Sequence, residues 1–198
     1  MGKNKLIIFA KQPELGKVKT RLAVSIGEDQ TLKIYKELLN ITKKITSTLL
    51  VEKIVYWDHL PLENPLEFEF GDSTKVQAEG DLGFKMKTAF EDEFRSNFGK
   101  VVIIGTDCPF LTKEILEKAY LSLDATDFVI GPAMDGGYYL LGMREFFPYV
   151  FDSIPWSTSE VLPLTLEVIQ KNKRTVTLLA ELNDIDDIND LKDWKGPL

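Results

Sequence analysis

The sequence predicts a three-layer α/β/α domain built on a mostly parallel sheet. Short runs rich in Val and Ile recur along the chain, each bounded by turn or charged residues. Amphipathic helical patterns separate them. The runs are apolar at nearly every position rather than at alternate ones, as strands covered on both faces require. A chain of 198 residues fits one core, so a single domain is expected over 1–198.

Taken in order, the strand runs are "KLIIFA" (5–10), "EKIVYW" (52–57), "KVVIIG" (100–105), "DFVIG" (127–131) and "TVTLL" (175–179). Helical patterns fall between them. The segment 28–49 sets Leu32, Tyr35, Leu38, Leu39, Thr42 and Ile45 on one stripe. Further helices are expected over 82–98, 112–123 and 157–172. Thr112 followed by Lys113 and Glu114 suits a helix start, and "STSE" (157–160) has the spacing of a capping box. The Pro- and acid-rich stretch 59–72 reads as a surface excursion with a short strand, and the acidic tail "LNDIDDINDLKDW" ends in a short helix.

Composition narrows the function classes. The formal net charge of -7, with no broad basic stripe, argues against nucleic acid as a partner. No apolar run approaches the roughly 18 residues that cross a bilayer, so no membrane span is expected. The apolar run near the N-terminus stops at Ala10, too early for a secretory leader. A lone cysteine, Cys108, is compatible with a reducing compartment. A cytoplasmic protein is the expectation.

Against this acidic background the segment "FAKQPELGKVKTRLA" (9–23) stands out, with Lys11, Lys17, Lys19 and Arg21 directly after the first strand. Open α/β sheets bind ligands outside the carboxyl ends of their strands. If the first strand and "VVIIG" run parallel, this loop and Asp107 of "TDCP" emerge on one edge. The loop is not a Walker A motif, because Val18 follows "GK", and G-x-G-x-x-G is absent. Ala10 and Lys11 at the strand end, Gly16, Lys19 and Arg21 could grip a diphosphate, with glycine admitting close backbone approach. A solvated charged turn is the competing interpretation. Asp107 is a natural oxygen ligand for Mg²⁺ or Mn²⁺ beside phosphates, or else a helix cap. Asp184, Asp186 and Asp187 are candidates for a second carboxylate, or else a solvated acidic face.

In "GPAMDGGYYLLG" (131–142), Asp135 precedes Gly136 and Gly137, then Tyr138. Asp135 could act as a base or hold sugar hydroxyls, or the segment could simply be a hairpin with an Asp-Gly turn. Trp156 could stack on a sugar face or pack in the core. Cys108 as a nucleophile lacks a plausible histidine base, since the only histidine is His59 in the excursion, and a zinc site fails for the same reason.

Together, "FAKQPELGKVKTRLA", "EGDLGFKMKTAF" with "IGTDCPFL", "GPAMDGGYYLLG" with "PWSTSEVL", and "LNDIDDINDL" resemble a bacterial family of GT-A-like glycosyltransferases. That family was long catalogued as a domain of unknown function, and some members are named for arsenosugar biosynthesis. More distantly the chain resembles 2-phospholactate and molybdenum-cofactor guanylyltransferases. The resemblance implies a GT-A-like, Rossmann-like nucleotide-diphospho-sugar transferase fold. It implies that Lys11, Gly16, Lys19 and Arg21 face the nucleotide, and that Glu79, Gly80 and Asp81 line its base or sugar pocket. It also implies that Asp107 and Asp186 are metal ligands, with Asp184 the alternative to Asp186. Here Asp187 and Ile188 replace a Thr-Pro pair of the relatives' late pattern.

The expected activity is a metal-dependent glycosyltransferase using Mg²⁺ or Mn²⁺. It would take a nucleotide sugar to a small-molecule acceptor, with Asp107 and Asp135 in the chemistry and Gly136, Gly137, Tyr138 and Trp156 toward the acceptor. The alternatives are a nucleotidyltransferase using a nucleoside triphosphate, and a silent nucleotide-binding module.

Overall fold

Leu6, Ile7 and Ile8 are all fully buried, which only a strand with helices on both faces can achieve. This strand, β1 (Lys5–Ala10), lies inside a seven-stranded sheet. The others are β2 (Glu52–Trp57), β3 (Ser73–Val76), β4 (Val101–Ile104), β5 (Phe128–Pro132), β6 (Tyr138–Met143) and β7 (Val176–Leu178), in the order β3-β2-β1-β4-β6-β5-β7. The computed structural model describes residues 3–60, 70–95, 99–194 and 196.

The pairs β1–β2, β1–β4, β2–β3 and β5–β7 are parallel, and β6 runs antiparallel to both β4 and β5. The fold class is therefore the α/β architecture expected, with one reversed strand. That strand exists because "MDGG" closes a hairpin between β5 and β6, where Gly136 sits at φ 89. The competing hairpin interpretation of this segment thus describes its backbone.

Among the described residues the α-helices are α1 (Thr20–Ile26), α2 (Glu28–Thr46), α3 (Leu82–Arg95), α4 (Lys113–Ser122) and α5 (Val161–Lys171). The first was not anticipated. Gly27, at φ 84, ends α1 and starts α2, so the helix expected from residue 28 has a short partner before it. The buried stripe of α2 is Ile34, Tyr35, Leu38, Leu39 with Thr31, Thr42 and Thr46. Thr42 and Thr46 tolerate burial because their hydroxyls donate to the carbonyls of Leu38 and Thr42. Thr112 caps α4 by accepting from the Ile115 amide. No capping box forms at "STSE": α5 starts at Val161, and the Thr158 hydroxyl accepts from the Glu160 amide one turn too early. A short strand, β3, lies just beyond the stretch 59–72, whose residues 61–69 lie outside the described residues, as do 96–98.

Two apolar clusters lie on opposite faces of the sheet. Leu6, Ile8, Val55, Val102 and Ile104 pack with Ile34, Leu38 and Leu116. Ile7, Ile54, Ile103 and Leu141 pack with Met86, Phe90 and Ile169. Each fully buried Leu or Ile contributes about 1.5–3 kcal/mol relative to exposure. Because β1, β2, β4, β5 and β7 all point one way, the segments after them share one edge.

Candidate active site

The loop after β1 is pinned from three sides. Tyr35, on α2, accepts from the Lys11 amide (2.8 Å) and donates to the Lys11 carbonyl (3.0 Å). The Gln12 amide donates to Asp58, beyond β2 (2.8 Å), and His59 pairs with Glu14 (2.6 Å). Gly16 takes φ 74 within the turn, and Val18 is buried beneath it. The loop then reaches Lys19 in the left-handed region, φ 47 and ψ 48, a conformation that a side-chain-bearing residue keeps only when its surroundings impose it.

Those surroundings are two carboxylates. Lys19 Nζ lies 2.7 Å from Asp107 Oδ2 and 2.8 Å from Asp186 Oδ1, with the Lys19 side chain only 5% exposed. The aspartates are far more open, at 42% and 50%. Arg21 stands 3.6 Å from the other Asp186 oxygen. Burial opposes the charge on Lys19, but the two carboxylates outweigh it and raise its pKa. Burial likewise disfavours the charged form of Asp186, and Lys19, Arg21 and Lys11 overcome it and hold its pKa down.

Asp186 comes from a segment 79 positions after Asp107, and backbone hydrogen bonds bring it there. The Ile185 amide donates to the Asp107 carbonyl (2.9 Å), and Leu182 donates to the Pro132 carbonyl and accepts from the Met134 amide of the β5–β6 turn (both 3.1 Å). Asp187 then caps a 3₁₀ turn (Ile188–Asp193), accepting from Asn189 while Asp190 accepts from the amides of Asp186 and Asp187. Asp is as good a cap as Thr, so the departure from Thr-Pro keeps the turn that aims Asp186. Asp184 sits behind, against Cys108. Burial and the neighbouring Asp107 charge push its pKa up to about 7. Its Oδ1 is buried without a hydrogen-bond partner. Of the two candidates for a second metal ligand, Asp186 shares a cation with Asp107. Cys108 is buried, and burial first, then Asp184, raise its thiol pKa, which suits packing rather than nucleophilic attack.

These groups line a cleft of about 400 Å³ at the carboxyl edge of the sheet. Among the residues expected to be functional, Ala10, Lys11, Lys19, Arg21, Asp107, Tyr138 and Asp186 line it, as does the alternative candidate Asp184. Gly16, Glu79, Gly80, Asp81, Asp135, Gly136, Gly137 and Trp156 are not part of its wall. Gly16 shapes the loop, and the Asp81 carboxylate accepts from the Phe84 amide at the start of α3. The Asp135 carboxylate accepts from the Gly137 amide (2.8 Å). Trp156 packs edge-on to Tyr138 and stacks with Phe151. Its indole lies so close to Gly83 that a β-carbon there would stand 1.9 Å from Nε1.

Tyr35, Thr106 and Gln77 are among the cleft residues that escaped the sequence reading. Tyr35 passed as a core residue of the helix stripe. Thr106 is hidden beside Asp107. Gln77, whose side-chain amide donates to the carbonyls of Ala10 and Tyr56, is a polar residue at a strand end, a signal that was available.

The donor chemistry fits a hard divalent cation in kind. Asp107 and Asp186 offer oxygens that already share one cationic group, and Mg²⁺ or Mn²⁺ characteristically takes one or two carboxylates plus phosphate and water. Among the described residues no group of three or more His, Cys, Asp or Glu is placed to hold an ion unaided. The remaining ligands would thus come from substrate and solvent. No helix of the described residues is long and apolar enough to cross a membrane.

Residues 44–158 match a family described as "Uncharacterized protein conserved in bacteria (DUF2064)". A Desulfovibrio desulfuricans G20 structure described as a nucleotide-diphospho-sugar transferase superposes with TM-score 0.89 at 33% identity, covering 96% of this chain and 85% of that one. The 2-phospho-L-lactate guanylyltransferase of Methanocaldococcus vulcanius is 26% identical over 141 residues, 71% of this chain and 62% of the relative's own length. The 4-diphosphocytidyl-2C-methyl-D-erythritol synthase of Anaerococcus prevotii shares the fold, with TM-score 0.64 at 12% identity over 96% of this chain and 93% of that one. The fold is that of the nucleotide-diphospho-sugar transferases.

Proposed function

The chain belongs to the DUF2064 family, and from that premise we propose that it is a metal-dependent transferase that binds a nucleotide-diphospho-sugar and passes the sugar to a small-molecule acceptor. One observation carries this reading: Lys19 gathers Asp107 and Asp186 in a cleft that Lys11 and Arg21 also line. Such a set of cations beside paired carboxylates suits a diphosphate leaving group. Lys11 and Arg21 bind its oxygens, and Lys19 supports them from the cleft floor. Asp107 and Asp186 would hold Mg²⁺ or Mn²⁺, which supplies charge neutralisation on the departing phosphate oxygens. Tyr138 and the apolar residues Leu82 and Met86 also line the cleft; the acceptor packs against them, and Asp135 orients or deprotonates it.

A specific observation favours a second reading, transfer of a nucleotide from a triphosphate to a phosphorylated acceptor. The carboxylate of Asp135 is already engaged by Gly137, and a phosphate nucleophile, ionised at neutral pH, needs no base. The guanylyltransferase relative supports the same alternative.

The test is product analysis with Mn²⁺ present, using panels of nucleotide sugars and nucleoside triphosphates. Free nucleoside diphosphate is the expected product, whereas pyrophosphate would transfer the assignment to the second reading. If no nucleotide raises the melting temperature, with or without Mn²⁺, the binding site itself is refuted, because a ligand that prefers the folded state must stabilise it.

A further inference from the structure

We infer that Lys19 is an exchangeable internal cation: its ammonium occupies the carboxylate oxygens that a divalent ion needs, and it leaves them for phosphate when metal and nucleotide arrive together. This rests on the reading of Asp107 and Asp186 as metal ligands and adds a coupling that the reading does not require.

Three features carry it. The ammonium is within 2.8 Å of one oxygen from each carboxylate, so an ion coordinated by both oxygens and the ammonium compete for one space. The lysine is enclosed while its partners are half open to the cleft, so phosphate can approach the pair from the solvent side. Lys19 also holds a left-handed backbone as the residue before α1, fixing the root of the side chain while its long stem can swing. A buried ammonium released from two carboxylates needs another anion, and a phosphate beside Lys11 and Arg21 supplies one. Metal alone is therefore opposed by Lys19, and metal with diphosphate is helped by it. This is a coupling between two ligands in the thermodynamic sense.

The experiment titrates Mn²⁺ into the protein by calorimetry, alone and with inorganic diphosphate. Lys19→Met is expected to bind Mn²⁺ alone about tenfold tighter than the unmodified protein, within the usual range of coupling factors. It is also expected to lose most of the enhancement that diphosphate gives. Arg21→Met removes an equal charge near Asp186 but is expected to change Mn²⁺ binding far less. Equal effects of the two substitutions would indicate a general field and overturn the exchange. Unchanged Mn²⁺ affinity in folded Lys19→Met would overturn it as well. Should Lys19→Met not fold, proton–nitrogen spectra of lysine ammonium groups in the unmodified protein give the same answer. The protected Lys19 signal is expected to disappear when Mg²⁺ and diphosphate are added together, and its persistence at saturation defeats the proposal. Asp107→Asn separates the two levels. If it abolishes Mn²⁺ binding while Lys19→Met has no effect, only the exchange fails; if Mn²⁺ binding survives it, the metal assignment fails too.

Discussion

Two buried lysines meet carboxylates in this protein, at opposite ends of the same sheet. Lys5, at the start of β1, pairs with Glu93 of α3 at 2.6 Å, and Glu93 also accepts from Tyr56 and Lys75 at 2.7 Å. Glu93 is only 1% exposed. Lys19 is just as enclosed, but its carboxylates open onto a cleft. In the first cluster the charge that is hidden is the shared carboxylate, with three donors closing around it. That arrangement can only hold β1, β2, β3 and α3 together. In the second the hidden charge is the cation, and the anions face the cleft. Burial of a charge is thus no guide to function by itself; what matters is which partner is left facing solvent.

The comparison can be broken at either end. Glu93→Ala removes the buried carboxylate that Lys5, Lys75 and Tyr56 share and is expected to cost about 3–5 kcal/mol, measured by urea unfolding. Burial disfavours the charged Glu93, but Lys5, Lys75 and Tyr56 hold its pKa below the usual value. Its contribution is therefore present above the unfolded carboxyl pKa and lost as pH falls through the folded one. Glu93→Gln should flatten that acid limb. Asp107→Asn, by contrast, is expected to lower the rate of the proposed transfer about 100- to 1,000-fold, the range for losing one electrostatic contact in a reaction centre, while melting temperature changes little. Equal damage to stability from both would erase the distinction between the clusters.

Tyr35→Phe removes both hydrogen bonds to the Lys11 backbone and should cost about 1–2 kcal/mol, raising KM for the nucleotide more than it lowers kcat. The smallest effect is expected at His59. Its pKa is raised, first by the hydrogen bond to Glu14, so its contribution is complete below the unfolded imidazole pKa and lost as pH rises through the folded one. Protection from hydrogen exchange at residues 12–17, taken relative to the intrinsic base-catalysed rate, should fall over that interval, and His59→Gln should make it independent of pH.

Strands and sheet class were legible because parallel strands under two helical layers must be apolar throughout, and "KLIIFA" and "VVIIG" satisfy that. The basic loop and Asp107 were legible as neighbours because parallel strands deliver their carboxyl ends to one edge. The choice between Asp184 and Asp186 was not, since it depends on which way the backbone turns at Ile185, fixed by a hydrogen bond to a residue distant in the chain. Tyr35 was hidden for a different reason. An apolar stripe records that a ring is buried but not where its hydroxyl ends, and here it ends on the loop. Helix α1 went unread because Gly27 was not weighed as a break between two helices.

The hydrogen bond from Ile185 to Asp107 also sets a timetable. During synthesis the basic loop emerges first and Asp107 midway, and Asp186 follows only after β7 has been made. A domain generally folds as a unit, and Asp107 and Asp186 lie 79 positions apart, so the acidic pair cannot form until the sheet has gathered. Lys11, Lys19 and Arg21 are therefore made long before both carboxylates are in place. The pair arrives in one late step, when the segment holding Ile185 docks across the edge.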